Sequence, residues 1–166
     1  MTAATTLAAG AWRATRCSAT FQVGNLGRVV TGTVPVTSGT VEIGEHGELL
    51  SVHGTLDLGA IDTGNAKRDL DLRKPRLLDL DRHPVMTFTA TSAAPTDRGW
   101  LVTGTLAARG TTTELSGAAE LSEVDAGSAV LTATARLDRR TLGIRAPGFL
   151  ISRYVDITVT ATIRPA

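Results

Sequence analysis

The 166-residue chain carries 17 basic and 16 acidic side chains, close to charge balance, which suits one ordinary domain and excludes a general polyanion binder. It holds 26 threonines and six aromatics (Trp12, Phe21, Phe88, Trp100, Phe149 and Tyr154). That composition favours pleated, half-solvated strands and excludes a coiled coil, a collagen or a disordered chain. The single cysteine, Cys17, excludes an intrachain disulfide framework and any multi-cysteine metal site.

Residues 1–11 are small and polar, with no basic start and no solid apolar stretch. They do not read as a signal peptide, so the expected location is cytoplasmic, with 1–10 a flexible N-terminal segment. Strands are expected over about 17–24, 28–36 and 39–44. From Leu50 to Ala60 one face reads Leu50, Val52, Gly54, Leu56, Leu58 and Ala60, against Ser51, His53, Thr55, Asp57 and Gly59. Met86, Phe88 and Ala90 alternate with Thr87, Thr89 and Thr91. Further strands fit about 99–108, 112–123 and 128–138. Near the end Val155, Ile157, Val159, Ala161 and Ile163 alternate with Asp156 and three threonines. A period of two with one apolar face is the mark of a half-buried strand. Turn signals separate the strands at Gly44–Gly47, Ala94–Gly99 and Asp125–Ser128. About eight antiparallel strands joined mostly by short loops predict an all-β barrel or sandwich in a single domain over 1–166. No apolar run reaches the ~20 residues of a membrane span, so stable membrane insertion is not expected.

The segment from Asp62 to Asp81 breaks this rhythm. Basic side chains sit among Leu70, Leu72, Leu77, Leu78 and Leu80, and leucine replaces the β-branched residues. A short helix or compact loop is expected near 65–80, capped by Thr63 or Asn65 and ended or kinked by Pro75. Leu70, Leu77 and Leu78 are read as sharing one face. Such a loop on a rigid β scaffold is where function usually sits.

No catalytic constellation assembles from the sequence. His53 and Asp57 share a strand face but lie ~13 Å apart, too far for one metal or a triad hydrogen bond. His46 falls in a glycine-flanked turn, and His83 is held extended by Pro84. Cys17 reads as a buried, inert thiol. The acid pairs Asp69/Asp71 and Asp79/Asp81 have arginine neighbours, which favours local salt bridges over a cation site. No metal, cofactor or nucleic acid is therefore expected. What remains is a container with an apolar inner face, or a solid barrel; small barrels of this strand number can hold one ligand.

One set of residues resembles a known family. Ile61-Asp62-Thr63-Gly64-Asn65, Lys67-Arg68-Asp69, Leu72-Arg73, Leu78-Asp79 and His83-Pro84 with Thr87-Phe88 are similar in order and spacing to the signature of the YceI-like family. Trp12, Phe21 and Val23 fit its opening strand, and Val30-Thr31-Gly32 with Ser38-Gly39-Thr40-Val41 its next hairpin. Val102–Leu106 with Arg109-Gly110-Thr111-Thr112, and Leu137–Ile144, resemble two further stretches. Asp71 stands where the family usually has a His before Leu-Arg, and Leu77-Leu78 replace its paired aromatics.

The resemblance implies an extended, lipocalin-like antiparallel β-barrel whose apolar pocket holds a polyisoprenoid or related amphiphilic lipid. It also implies homodimers and a link to stress responses, without established catalysis. On this basis the expected function is non-catalytic binding, storage or transport of such a lipid. The candidate tail contacts are Phe21, Val23, Leu56, Leu58, Leu72, Leu78, Met86, Phe88, Val102 and Leu106. Asn65, Arg68 and Arg73 are the candidate head-group contacts; for the two arginines the competing role is a salt bridge to Asp62, Asp69 or Asp79. Two other readings stand beside this one. One is an enzyme acting on a small apolar or prenylated substrate through Asp71, His53 or His83; the other is a solid-barrel interaction module.

Overall fold

The computed structural model describes residues 7–125, 127–145 and 151–166. Eight strands follow one another around a closed antiparallel barrel. They are β1 (Gly10–Asn25), β2 (Arg28–Ile43), β3 (Leu49–Asp57), β4 (Val85–Pro95), β5 (Gly99–Ala108), β6 (Thr111–Ser122), β7 (Ala129–Asp138) and β8 (Ile151–Pro165). Every strand pairs with its sequence neighbours, and β8 closes the ring on β1. The expected all-β antiparallel barrel is the observed architecture. Closure leaves no free sheet edge, and each strand turns one face inward and one to solvent.

The alternation holds without interruption in β8, where Val155, Ile157, Val159, Ala161 and Ile163 point inward. Elsewhere bulges reverse it. On β1 the pairing to β8 shifts between Ala14 and Arg16. Trp12 and Ala14 face inward before the shift, and Cys17, Ala19 and Phe21 after it. On β2 a shift between Val36 and Ser38 does the same, so Val34 precedes and Val41 and Ile43 follow. The two strands expected at 28–36 and 39–44 are therefore one bent strand, and the family-like pieces read there as a hairpin lie on β2 alone. A third shift lies where β2 meets the start of β3. It buries Leu49 at 5% exposure and leaves Leu50 at 58%, which corrects the inward assignment of Leu50. One extra residue in a ladder is enough to flip a side chain to the other face.

Two tight turns use left-handed backbone. Leu26-Gly27 and Arg109-Gly110 both have positive φ at each central residue, the geometry that matches the twist of two-residue hairpins. The expected flexible segment over 1–10 does not hold for its last residues. Leu7 is buried, the Trp12 indole donates to the Ala8 carbonyl at 2.9 Å, and Gly10 opens β1; residues 1–6 lie outside the described residues.

The β3–β4 connection is long. A 3-10 turn at Leu58–Ala60 leads to helix α1 (Ala66–Leu72) and then to successive turns as far as Arg82. The helix starts where Asn65 Oδ1 accepts from the Arg68 amide at 3.1 Å, a side-chain N-cap. It ends at Leu72, three residues before Pro75. Leu70 is 67% exposed, so it does not share the inward face read for Leu77 and Leu78. Asn65→Ala removes the cap and is expected to lower stability by about 1 kcal/mol, as read by urea denaturation.

This excursion closes one end of the barrel, here called the helical end, together with a second 3-10 turn at Arg139–Leu142. Leu58, Leu80 and Leu142 are each 1% exposed there. At the other, terminal end Leu7, Trp12, Ile43, Leu49, Ala129 and Ile163 form a second buried cluster. No helix among the described residues is long and apolar enough to cross a membrane.

Candidate functional site

Between the two plugs the barrel is hollow. Inward side chains in the middle of the strands, such as Cys17, Val36, Leu115, Ala133 and Val159, are only half-buried although the wall surrounds them. They face a cavity of about 170 Å³ to which all eight strands contribute. Small residues keep it open. Gly104 and Gly117 face inward on adjacent strands, and a Cβ at Gly104 would fall 2.6 Å from the tip of the Phe88 ring. Glycine there lets the ring lie flat on the backbone.

The lining is almost wholly hydrocarbon. Of the expected tail contacts, Phe21, Leu56, Met86, Phe88, Val102 and Leu106 line the cavity. The other four lie elsewhere. Val23 points inward nearer the helical end, Leu58 is sealed in that end's plug, Leu78 packs against the plug, and Leu72 is half-buried at the end of α1. Lining residues that were not among the expected tail contacts include Ala14, Cys17, Val36, Gly39, Leu115 and Ala133. Bulges hid the first four. Inward-facing glycine and alanine in otherwise aliphatic strands are the signal that marks hollow space.

Cys17 faces this cavity rather than solid core. Burial among apolar groups pushes its thiol up to about 11, so it is neutral and weakly nucleophilic at ordinary pH. His53 contributes to the rim but is exposed on the outer face, where its Nδ1 and the Thr89 hydroxyl lie 3.0 Å apart. His83 lies outside the cavity, 3.9 Å from the buried Asp79 carboxylate. Asp71 pairs with Lys74 on the surface at 3.0 Å. The three groups an acid–base mechanism would use thus do not converge on the cavity. Among the described residues no cluster of three or more His, Cys, Asp or Glu side chains is arranged to hold a metal.

The head-group candidates are occupied in structural work. Asn65 caps α1. Arg68 reaches the Thr63 carbonyl at 3.5 Å. Arg73 donates through Nε and Nη2 to one oxygen of Asp81, at 3.0 and 2.7 Å, and through Nη1 to the Gly59 carbonyl at 3.3 Å. The expected salt-bridge partners bind other groups: Asp69 accepts from the Thr63 amide and hydroxyl, and Asp62 from the Gly64 amide. Arg109 fastens the helical end from the β5–β6 turn, donating to the carbonyls of Pro75 and Leu142. Gly143, at φ 75°, leaves room for it, since a Cβ there would meet Arg109 Nη1 at 2.9 Å.

Three surface carboxylates are held below their ordinary range. Asp125 accepts from the Gly127 and Ser128 amides, Asp138 binds the Arg153 guanidinium, and Asp156 binds that of Arg136. Each binds a proton less readily folded than unfolded, so its contribution is present above the unfolded value and lost as pH falls through the folded one. Urea midpoints are expected to be flat from neutral pH to about 5 and to fall below about 4, where unfolded Asp begins to take up protons.

The YceI-like domain model matches residues 12–163, nearly the whole barrel. The chain belongs to the YceI-like family. Among curated proteins, this YceI-like chain is 34% identical over 61 residues to UPF0312 proteins of Pectobacterium carotovorum and Pectobacterium atrosepticum, a stretch covering 37% of the chain. The match spans only 32% of those relatives' own length. Among solved structures, BcnA of Burkholderia cenocepacia superposes with a TM-score of 0.77 at 14% identity, over 88% of this chain and 95% of that one. The Campylobacter jejuni YceI protein gives 0.74 at 18% identity, over 82% and 85%. A polyisoprenoid-binding domain of Saccharophagus degradans, implicated in plant cell wall breakdown, gives 0.70 at 15% identity, over 95% and 99%. At these identities the superpositions establish a shared YceI-like barrel.

Proposed function

We propose that this YceI-like protein binds a polyisoprenoid or similar long-chain amphiphile in the barrel interior and stores or carries it without chemical change. The observation that carries this reading is the hollow middle of the barrel, flanked by a buried cluster at each end and lined by hydrocarbon from every strand. An apolar chain removed from water into such a space gains roughly 0.8 kcal/mol per buried methylene, and preformed walls keep the ordering cost small. The polyisoprenoid-binding neighbour of the same fold supports the ligand class. The outward or remote positions of His53, His83 and Asp71 support carriage over catalysis. A homodimer acting in stress response completes the reading on the strength of the family resemblance.

Native mass spectrometry of the purified protein, before and after incubation with geranylgeraniol, tests it. A stoichiometric lipid adduct is the expected result. Loading is also expected to shield Cys17, slowing its alkylation by N-ethylmaleimide, because that thiol faces the cavity. A chain that takes up neither co-purifying nor added lipid, and whose Cys17 reacts at one rate throughout, would falsify the proposal.

A further inference from the structure

A buried cluster lies at each end of the barrel. The wall differs. Pairing of β1 with β2 runs from Gly10 opposite Ile43 to Arg13 opposite Thr40, then lapses and resumes in the same register at Ser18 opposite Pro35. Residues 14–17 and 36–39 are left unpaired between these ladders. In that stretch each strand also bulges against its other neighbour, β1 toward β8 and β2 toward β3. Ala14, Cys17, Val36 and Gly39, all on the seam, line the cavity. Pairing also lapses between β2 and β3 before Val36, between β3 and β4 beyond His53 and between β6 and β7 before Gly117. Each of those runs out to a barrel end, the second beside Val52, Ala90 and Ala93 and the third beside Leu115, Leu137 and Leu142. The β1–β2 seam is bounded by ladders above and below and opens on the hollow part of the barrel.

Arginines gather outside the seam. Arg13 and Arg164 are direct cross-strand partners, both exposed, an arrangement that repels unless an anion lies near. Arg16 follows two positions beyond the start of the bulge. Arg164 acts on Asp125, but among the described residues neither Arg13 nor Arg16 has a hydrogen-bond or ion-pair partner. Glu42, on the neighbouring outer face of β2, pairs with neither. In the β3–β4 excursion Arg73 and Lys74 already hold carboxylates.

We propose that the β1–β2 seam is the door of the cavity, and that the ligand is an amphiphile with an anionic phosphate or carboxylate head. The chain lies inside and the head rests outside against Arg13 and Arg16. This rests on the lipid-binding reading above and adds the route and the head-group class. The missing ladder bonds make the seam the cheapest part of the wall to part, since opening it breaks packing but no backbone pairing.

A cross-link tests the door. A Cβ at Gly39 would lie 3.2 Å from that of Ala14, a few tenths short of the roughly 3.5–4.5 Å a disulfide spans. Ala14→Cys with Gly39→Cys, in a Cys17→Ala background, is therefore expected to oxidise across the seam. Oxidised, it should take up fluorescent cis-parinaric acid at least tenfold more slowly than the same protein after reduction with dithiothreitol. Equal rates in both forms overturn the door while leaving lipid binding intact. Failure of the reduced and unmodified proteins alike overturns the lipid-binding reading itself.

The head-group site is tested with geranylgeranyl phosphate, palmitate and geranylgeraniol. Arg13→Ala with Arg16→Ala, both on the outer surface, should weaken the anionic ligands about tenfold and leave the alcohol unchanged. The larger loss identifies phosphate or carboxylate as the fitted head. An equal loss for the alcohol, or none for either anion, overturns the assignment.

Discussion

Ala133→Phe is expected to abolish lipid binding while leaving the barrel as stable as before. Ala133 lies midway along β7, faces the cavity, and sits between Ala119 on β6 and Val159 on β8. A phenyl ring at this place has small neighbours and only the cavity of about 170 Å³ to enter. Burying the ring favours folding by about 1.5–3 kcal/mol, and crowding opposes it by about 1–3 kcal/mol, so the net change is small. The ligand loses its space outright, and affinity for geranylgeraniol should fall by at least ~100-fold, about 2.7 kcal/mol. Titration by tryptophan or probe fluorescence beside a thermal melt checks both halves. Thr160→Phe, on the outer face of β8, is the control and should bind normally. Unchanged binding by a folded Ala133→Phe protein would place the lipid outside the barrel.

Arg139→Ala is expected to cause the largest loss of stability from a single side chain. Arg139 is 4% exposed and spans the gap between the β7–β8 connection and the start of β8. Its Nε donates to Ser152 O at 3.0 Å, Nη1 to Ile144 O at 2.8 Å and Nη2 to Ile151 O at 3.1 Å. The planar fork donates to three backbone carbonyls at once. Truncation strips those acceptors of their donor and leaves a void, together costing about 3–5 kcal/mol. For a chain of this size that lowers Tm by roughly 10 °C. Arg139→Lys keeps the charge but not the fork, and should fall between the two. A loss under about 1 kcal/mol would mean that water replaces the guanidinium without penalty.

Period-two spacing located most strands, because the apolar side of a half-buried strand must recur at every second residue. It failed where a bulge adds one residue, since no residue type marks the addition. Thr15 looks like any other threonine of the outer wall, yet the parity of β1 turns on it. Leu49 and Leu50 are chemically identical, and only the shift at the start of β3 decides which is buried. The segment 62–81 was legible as irregular and leucine-rich, and its N-cap follows from Asn65. Its ion pairs were not legible in detail: Arg73 finds Asp81 across a series of turns whose path is set by packing of Leu80 and Leu78 against the barrel. The tail contacts on β3, β4 and β5 that line the cavity, Leu56, Met86, Phe88, Val102 and Leu106, sit in stretches free of bulges. Leu72 and Leu78 were drawn in by the family resemblance and lie outside the cavity. Arg139 gave no warning, as an arginine in a basic run reads as a surface residue until its carbonyl partners are seen.

The bulges of β1 and β2 also act as a reading frame. Each inserts a single residue that inverts which side of the wall every later side chain occupies, so the inner surface is written in two phases along one strand. Deleting Thr15 would leave each downstream residue with its chemistry intact but turn Cys17, Ala19 and Phe21 out to solvent and threonines in. The hydrocarbon lining of this barrel therefore depends on residue count as much as on residue type. Relatives that differ in length at these two points would carry a different inner surface even where their aligned residues agree.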